Sequence, residues 1–170
     1  MGPTSPRVFA MEAREPLEDA PAGPSESAGF LARGTWRASA VRSECVDLPG
    51  GVRAPQLARR VVEQHFTAAL DADRLASVEL LTTELVSNAV RHGGADEGET
   101  VILHLALAAD CLRIEVCDPG RGFDAGTPAP HGEGGYGLFI VSEVSSRWGA
   151  AHDVDTCAWF ELDLPVGGGA

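Results

Sequence analysis

Apolar residues recur at the spacing of an amphipathic helix in two stretches of the chain, 54–70 and 71–92. In the first stretch they are Leu57, Val61, Val62, Phe66 and Leu70. In the second they are Leu75, Val78, Leu81, Leu85 and Ala89. Asp71 and Asp73 offer an N-terminal cap for the second helix, and the Gly93–Gly94 pair ends it. The pattern predicts two consecutive helices, each of which buries one face.

Alternating apolar residues indicate β-strands on both sides of these helices. Positions 101–107 and 112–116 alternate strictly, and a short turn at 108–110 joins them into a predicted hairpin. A looser alternation with β-branched residues at 35–48 predicts an edge strand before the first helix.

The last third of the chain contains a loop, a helix and a strand pair. Residues 119–135 are rich in Gly and Pro without periodicity, which predicts a long functional loop. Helical spacing predicts a third helix at 136–148, and strands are predicted at 149–154 and 157–165. The elements together predict an α+β fold: a two-layer α/β sandwich whose mostly antiparallel mixed sheet is covered on one face by three helices.

The two ends of the chain lack the pattern of a folded domain. Residues 1–34 contain five Pro and four Gly and no apolar period, so we expect a disordered leader there. One domain is then expected at 35–165, followed by a flexible tail at 166–170. The leader has no signal-peptide core, and the longest apolar run, 101–109, is too short to span a bilayer. We therefore expect a cytoplasmic protein that does not contact membranes.

Composition excludes several classes of function. The formal net charge of −12 opposes direct binding to nucleic acid or to an anionic membrane. The chain has thirteen basic residues, all of them Arg, and the absence of Lys excludes a P-loop, a eukaryotic-type protein kinase and Schiff-base chemistry. A bound triphosphate would therefore have to be neutralised by a metal ion, by backbone N–H groups or by Arg.

The cysteines give no sign of a metal centre. Cys45, Cys111, Cys117 and Cys157 show no C-x-x-C spacing, and the five histidines form no metal-ligand pattern with them. This spacing favours the interpretation that the cysteines are free buried thiols.

Two polar residues interrupt the second predicted helix beside its apolar stripe. Glu84 and Asn88 are separated by four residues, so they lie on one face of the helix. An amide oxygen is a hard ligand of the kind that Mg²⁺ accepts, and a neighbouring carboxylate can orient or deprotonate a nucleophile. The alternative is that Glu84 is a solvated helix residue and that Asn88 bonds to the backbone, which short motifs of this kind often do.

A third polar residue, Asp118, follows the alternation of its predicted strand and so points into the apolar layer. A carboxylate there needs a hydrogen-bonding partner, and a purine exocyclic amine in an apolar slot would supply one. Gly120 and Gly122 would let the backbone pass close to such a ring. The alternative is an Asp-Pro-Gly turn in which Asp118 bonds only to its own backbone.

The glycine-rich stretch GEGGYGLFIV, 132–141, leads into the third predicted helix. Its first-turn N–H groups and the positive end of the helix dipole can bind an anion without any Lys. His92, Arg91 and Arg121 are possible neighbours of phosphate, although a solvated surface role is the simpler interpretation. The two tryptophans near the end of the chain, 148 and 159, are more simply core residues.

In chain order, ELVSNAVRH, DPGRGF and GGYGLFIV form a set that is far more specific than any one of its parts. Their order and spacing resemble the Bergerat-fold (histidine kinase-like, GHKL) ATPases, the superfamily of gyrase, sensor histidine kinases and MutL. The ELVSNAVRHG and GGYGLFIVSEVSSRWG boxes and the closing AWFELDLP look most like the bacterial anti-sigma factor serine/threonine-protein kinases. The resemblance covers 35–165 and implies the Bergerat ATP-binding fold.

The resemblance also implies a role for each matching residue. Glu84 would be the catalytic base that acts on the attacking hydroxyl, Asn88 the Mg²⁺ ligand, and Asp118 the acceptor for the adenine amine of ATP. Two glycines would shape the base pocket, and three residues would close the lid on the phosphates; these are Gly120 and Gly122, and Gly135, Gly137 and Leu138. One departure from the family lies at 155–157, where many relatives carry a Gly-Lys-Thr-like segment, and Thr156 is a candidate to supply the missing hydroxyl.

The resemblance finally implies a function and partners. Such kinases phosphorylate a serine on a small anti-sigma antagonist protein in a partner-switching pathway, and they also bind a sigma factor, usually as a homodimer. The alternative is a non-catalytic ATP-binding protein that sequesters a sigma factor or another regulator. The ATPase half of a histidine kinase fits less well, since the leader offers no helical phosphoacceptor His with an acidic neighbour.

Overall fold

A computed structural model describes residues 7–11, 42–120, 136–152 and 155–165 of the 170-residue chain. The elements, in chain order, are strand β1 Arg7–Met11, strand β2 Arg42–Pro49, helix α1 Ala54–Phe66, helix α2 Ala72–His92, strand β3 Thr100–Leu107, strand β4 Cys111–Asp118, helix α3 Tyr136–Val144, strand β5 Arg147–His152 and strand β6 Thr156–Asp163. The strands form one sheet in the order β1-β5-β6-β4-β3-β2. Every pairing between these strands is antiparallel.

The three helices and the helix-facing side of the sheet share one hydrophobic core, which confirms the predicted α+β sandwich. Residues of α1, α2 and α3 pack there against inward residues of the strands, among them Leu103, Ile114 and Phe160. The β3–β4 hairpin forms as predicted, and β2 lies at one edge of the sheet. Of the predicted first strand, residues 35–41 lie outside the described part of the chain. No helix in the described ranges combines the length and the apolar character that crossing a bilayer requires.

The first helix is shorter than its apolar pattern predicts. It ends at Phe66 rather than near Leu70, because the backbone tightens into turns there. The N–H groups of Ala69 and Leu70 both donate to the carbonyl of Phe66 at 2.9 Å. Leu70 still packs against the core, so its apolar character reflects burial rather than helix.

The second helix has the ends that the sequence predicts. Its N-cap is Asp71, whose carboxylate accepts the backbone N–H of Arg74 at 2.9 Å. This hydrogen bond, and a second one from the Arg74 side chain, lower the pKa of Asp71. At the other end Gly93 is the C-cap, and Gly94 follows with φ +68°, a conformation that favours glycine.

The third helix was predicted to continue to Trp148, and this prediction is wrong. The helix ends at Val144, and Arg147–His152 form β5 instead. The Ser146 N–H donates to the Glu161 carbonyl at 2.8 Å, and Trp148 then pairs with Phe160 across the sheet. Trp148 is buried in the core as predicted, but from a strand.

The predicted leader contains one strand that its composition does not indicate. Residues 7–11 form β1, which pairs with β5 at the sheet edge opposite β2. The average composition of 1–34 concealed a short apolar run, Val8 to Met11, which contains the strand-forming residues Val8 and Phe9 and pairs with β5. The prediction of disorder is therefore wrong for these five residues, and the rest of 1–34 lies outside the described part of the chain.

The prediction that all four cysteines are free thiols is also wrong. Cys117 and Cys157 form a disulfide between β4 and β6, and Cys45 and Cys111 are not part of it. The two bonded residues are direct partners in the β4–β6 register, with Cα atoms 4.1 Å apart. Because they are 40 positions apart in the chain, only the pairing of the two strands reveals their proximity.

The face of the sheet that points away from the helices is also buried, but it carries charges. Arg113 is fully buried and donates to Glu115 and to Glu161, each at 2.9 Å. Its guanidinium lies 4.1 Å from the centroid of the Trp159 ring. Trp159 is therefore a buried residue as predicted, although it packs against a cation rather than in the main core.

Candidate nucleotide site

Helix α2 and the first turn of α3 bring three of the predicted site residues together. Glu84 and Asn88 are half-buried on the face of α2 that meets Gly137. A Cβ atom at position 137 would lie 2.7 Å from Glu84 Oε2 and 3.5 Å from both polar side-chain atoms of Asn88. A side chain at position 137 would therefore have to displace the Glu84 carboxylate, and glycine lets the α3 backbone lie this close to it.

The carboxylate of Asp118 lies at the end of β4 on the helix-facing side of the sheet, as the alternation predicts. The residue is 5% exposed, and its Oδ1 accepts the N–H of Gly120 at 2.9 Å. The Asp-Pro-Gly turn of the alternative interpretation is thus present. It does not compete with a ligand-binding role, because the same hydrogen bond also holds the carboxylate in place.

Gly93 packs directly against Asp118 and was considered in the sequence only as a helix stop. A Cβ atom at position 93 would lie 2.2 Å from Asp118 Oδ1 and 2.6 Å from the Ala89 carbonyl. The backbone of Gly93, with φ −85° and ψ −5°, suits any residue, so glycine is needed here for space. The signal in the sequence was the second glycine, because Gly94 alone meets the demand for positive φ.

Gly120 completes this close contact between the end of α2 and the end of β4. A Cβ atom at position 120 would lie 2.3 Å from the Gly93 carbonyl and 2.5 Å from Asp118 Oδ1. Position 120 therefore requires glycine, because its backbone passes close to the backbone of Gly93. Its predicted role beside a bound base stays a prediction.

Thr156 stands directly opposite Asp118 in the β4–β6 register. Its hydroxyl donates to the Gly120 carbonyl at 3.0 Å, and the residue is buried. The threonine that was named as a candidate for the missing hydroxyl is therefore beside the carboxylate and braces the turn that follows it.

The site has two ends, and α2 connects them. Glu84 and Asn88 lie at one end, and Gly93 with Asp118 lies at the other. Nine residues separate Glu84 from Gly93, which corresponds to about 13 Å along the helix axis. A buried carboxylate at one end and a carboxylate–amide pair at the other suit an elongated ligand with a hydrogen-bond donor at one end and a metal-bound anion at the other.

The roles of three further predicted site residues stay predictions. Gly122 and Gly135 lie outside the described residues, so their roles stay predictions. Leu138 is half-buried and packs against the hydrophobic core, and its role at the phosphates also stays a prediction. His92 and Arg91 are exposed near the end of α2.

Comparison with known proteins follows the same residues. Residues 50–159 match the family described as the histidine kinase-like ATPase domain. No curated protein matches the chain. A crystal structure of the RsbU and RsbW domains of Rv1364c from Mycobacterium tuberculosis is similar in fold, with a TM-score of 0.53 and 20% sequence identity. The similarity covers 75% of this chain and 35% of that chain.

The matched range contains Glu84, Asn88, Asp118, Gly137 and Thr156, and thus both ends of the site. The resemblance to the Bergerat-fold superfamily is confirmed by the family match and by the arrangement of sheet and helices. Because the match extends over more than half of the sequence, the chain belongs to the histidine kinase-like ATPase family.

Proposed function

We propose that this protein is an ATP- and Mg²⁺-dependent protein-serine kinase that acts as an anti-sigma-type regulator. The observation that carries the proposal is the path of α2. The helix presents a carboxylate and an amide to the backbone of Gly137, and its C-cap packs on the buried Asp118. Family membership supports ATP as the ligand.

At one end of the slot, Asp118 would accept the exocyclic amine of adenine. Its orientation is maintained by the N–H of Gly120 and, through the Gly120 carbonyl, by the hydroxyl of Thr156. Gly93 leaves room for the carboxylate to take this position. A buried carboxylate of this kind recognises a donor and rejects a base that offers an acceptor there, so it selects adenine over guanine.

At the other end, the amide oxygen of Asn88 is the donor that would hold Mg²⁺. When bound, Mg²⁺ neutralises charge on the β- and γ-phosphates, which a chain without Lys must achieve by other means. The first turn of α3 lies directly over Asn88 and directs the positive end of its helix dipole to the same place.

The transfer itself would use Glu84 as the base. The hydroxyl oxygen of the substrate serine attacks the γ-phosphorus, the bond from that phosphorus to the bridging β–γ oxygen breaks, and ADP leaves. The hydroxyl proton passes to the carboxylate of Glu84, which lies beside Asn88 and therefore beside the phosphate end.

The proposed substrate is a serine of a small anti-sigma antagonist protein, and the second proposed partner is a sigma factor. The fold shared with a structure that contains an RsbW domain supports this subgroup, and the AWFELDLP and GGYGLFIVSEVSSRWG boxes support it as well. We further propose that the protein works in the cytoplasm, as a homodimer, and without direct contact to nucleic acid. The net charge of −12 agrees with the last point.

The first test separates binding from transfer. Glu84→Gln is expected to bind ATP normally and to transfer no phosphate to candidate antagonist proteins, because only the base is lost. Glu143→Gln, on an exposed position of α3, is the matched control and should keep both properties. Phosphoserine is measured after incubation with labelled ATP, and binding is measured by calorimetry. Wild-type protein that binds ATP but yields no phosphoserine would favour the sequestering alternative.

The second test addresses the adenine end. Asp118→Ala removes a charged hydrogen bond, which is worth about 1.5–3 kcal/mol, so the affinity for ATP should fall about 10- to 150-fold. Asp110→Ala, in the exposed β3–β4 turn, is the matched control. An unchanged dissociation constant in the Asp118 variant would refute the assignment.

A further inference from the structure

The disulfide lies on the rung of the β4–β6 ladder next to the adenine end of the site. Cys117 pairs with Cys157 on one face of the sheet, and the adjacent rung pairs Asp118 with Thr156 on the other face. The two residues that hold the end of the slot are thus each bonded, through one peptide link, to a cysteine of the disulfide.

We propose that Cys117 and Cys157 form a reversible redox pair, a modification site whose oxidised state strengthens nucleotide binding and whose reduced state weakens it. The proposal rests on the proposed function, because it concerns how the same slot is regulated. The two cysteines are direct partners in the β4–β6 register, and Cys45 and Cys111 are not part of the disulfide.

The position of the pair near the end of the ladder provides the mechanism. β4 ends at Asp118 and β6 begins at Thr156, so the Asp118–Thr156 rung is terminal, and terminal rungs open most readily. The disulfide on the preceding rung limits that opening. Its 40-residue span also encloses α3, which carries Gly137, so the bond constrains both ends of the slot. In the reduced protein, this end of the site would be less ordered before the nucleotide binds. Binding would then have to order it, so the affinity for the nucleotide would fall.

The surroundings of the pair favour a reversible bond. Cys117 Sγ lies 3.6 Å from Glu115 Oε1, and a disulfide sulfur has no proton to donate to that carboxylate. The thiol that reduction creates does have one, so the dithiol form gains a hydrogen bond. Arg113 donates to the other oxygen, Glu115 Oε2, at 2.9 Å, so Oε1 stays directed at the sulfur. In the cytoplasm, where we place the protein, disulfides are typically transient or redox-sensing.

The electrons come from a dithiol reductant of the thioredoxin class. Its thiolate attacks one sulfur of the pair, the S–S bond breaks, and a mixed disulfide forms. The second thiol of the reductant then displaces the protein sulfur. Two electrons and two protons reach Cys117 and Cys157, and the reductant becomes a disulfide.

After reduction, Glu115, Cys117 and Cys157 could instead hold a metal ion, but the charges around them disfavour it. Glu115 Oε1 and the sulfurs of Cys117 and Cys157 lie within 4.8 Å of one another, which is a possible ligand set after reduction. The guanidinium of Arg113 already neutralises Glu115 and would repel a cation. Tight Zn²⁺ binding by the reduced protein, with nucleotide affinity unchanged by the redox state, would replace the redox proposal by a metal site.

The main experiment compares nucleotide affinity in the two redox states. The dissociation constant of Mg²⁺ with a non-hydrolysable ATP analogue is measured before and after treatment with excess dithiothreitol. Thiol counting in denaturant should give two thiols before treatment and four after it, since the chain has four cysteines. We expect reduction to weaken binding roughly fivefold or more, the lower range of coupling between two sites.

Thermodynamic linkage between oxidation of the pair and nucleotide binding provides a second measurement. A disulfide with a purely structural role would not show this linkage. If oxidation tightens nucleotide binding by a given factor, the nucleotide must favour the disulfide by the same factor. The ratio of reduced to oxidised reagent at which half of the protein disulfide is reduced should therefore rise by that factor when the ATP analogue is present. This measurement starts from folded, oxidised protein.

The variants isolate the pair. Cys45→Ser combined with Cys111→Ser removes the two cysteines outside the disulfide and should keep the full response; burial and Glu161 raise the pKa of Cys111 to about 12, which disfavours its thiolate in the folded protein. Cys117→Ala combined with Cys157→Ala should bind like the reduced protein and ignore dithiothreitol.

Three outcomes would overturn the proposal: equal affinity in both states, a pair that resists excess dithiothreitol in the folded protein, or loss of the circular-dichroism spectrum on reduction. Absence of nucleotide binding in both states would instead contradict the proposed function, and the inference would fall with it.

Discussion

Strands β4 and β6 are buried on both faces of the sheet, and the two faces are built from opposite chemistry. Toward the helices β4 presents Leu112, Ile114 and Val116. On the other face it presents Arg113, Glu115 and Cys117. β6 repeats the contrast, with Phe160 in the hydrophobic core and Glu161 in the charged cluster. Each of these strands therefore contributes one face to the hydrophobic core and the other face to a buried cluster of charged residues.

The two faces should therefore respond differently to amino-acid substitutions. The helix-facing side is stabilised by apolar area and close packing, which depend on volume and not on pH. The other side depends on complementary charges, because a buried ion pair contributes only while both partners remain. Asp118, at one end of the candidate site, lies on the helix-facing side, and the disulfide lies on the charged side, one rung away.

The largest effect is expected from Arg113→Met on the charged face. The change leaves Glu115 and Glu161 buried without their guanidinium partner, which costs about 3–5 kcal/mol. Chemical denaturation measures the loss, and adding Glu115→Gln and Glu161→Gln to this variant should recover part of it, because no unpaired buried charge then remains. Arg60→Met, at an exposed position of α1, should change stability by less than about 0.5 kcal/mol. Absence of any recovery would contradict the ionic account of this face.

A comparable loss is expected from Phe160→Ala on the helix-facing side. Phe160 is fully buried, and such truncations cost about 3–5 kcal/mol through lost apolar contact and the cavity left behind. Chemical denaturation measures this loss too, and adding Glu115→Gln and Glu161→Gln should not recover it. Recovery in that combination would mean that the two faces are not energetically distinct.

The smallest effect is expected at the rim of the charged face, where Arg147 meets Asp163. Burial disfavours the charge of Arg147, but hydrogen bonds to Asp163 and Glu161 outweigh this and raise its pKa. Asp163 is half exposed, so solvent screens the pair, and Asp163→Asn should cost only about 0.2–1 kcal/mol. Thermal unfolding at low and high salt measures it. A loss as large as that of Arg113→Met would show that the rim is as tightly coupled as the centre.

The predicted elements were most accurate where local chemistry decides the structure. α2 begins at its aspartate cap and ends at its glycines, and the β3–β4 hairpin follows strict alternation. The errors fell where a distant partner decides. The segment after Val144 has helical spacing but pairs with β6, and Arg7–Met11 becomes a strand through β5.

The same division applies to the candidate site. Glu84 and Asn88 share a helix face by spacing alone, and Asp118 points inward by parity alone, so the sequence was enough to single them out. Gly93 was missed, because its contact with Asp118 joins the end of α2 to the end of β4.

The amino-acid sequence by itself determined the family, the order of most elements and the polar residues of the slot, since these depend on period, caps and short motifs. Only the tertiary structure decided which cysteines are bonded, which charges are buried together and why position 93 must be glycine. Those features arise from contacts between strands and helices that are far apart in the chain, and no local pattern encodes which residues will meet there.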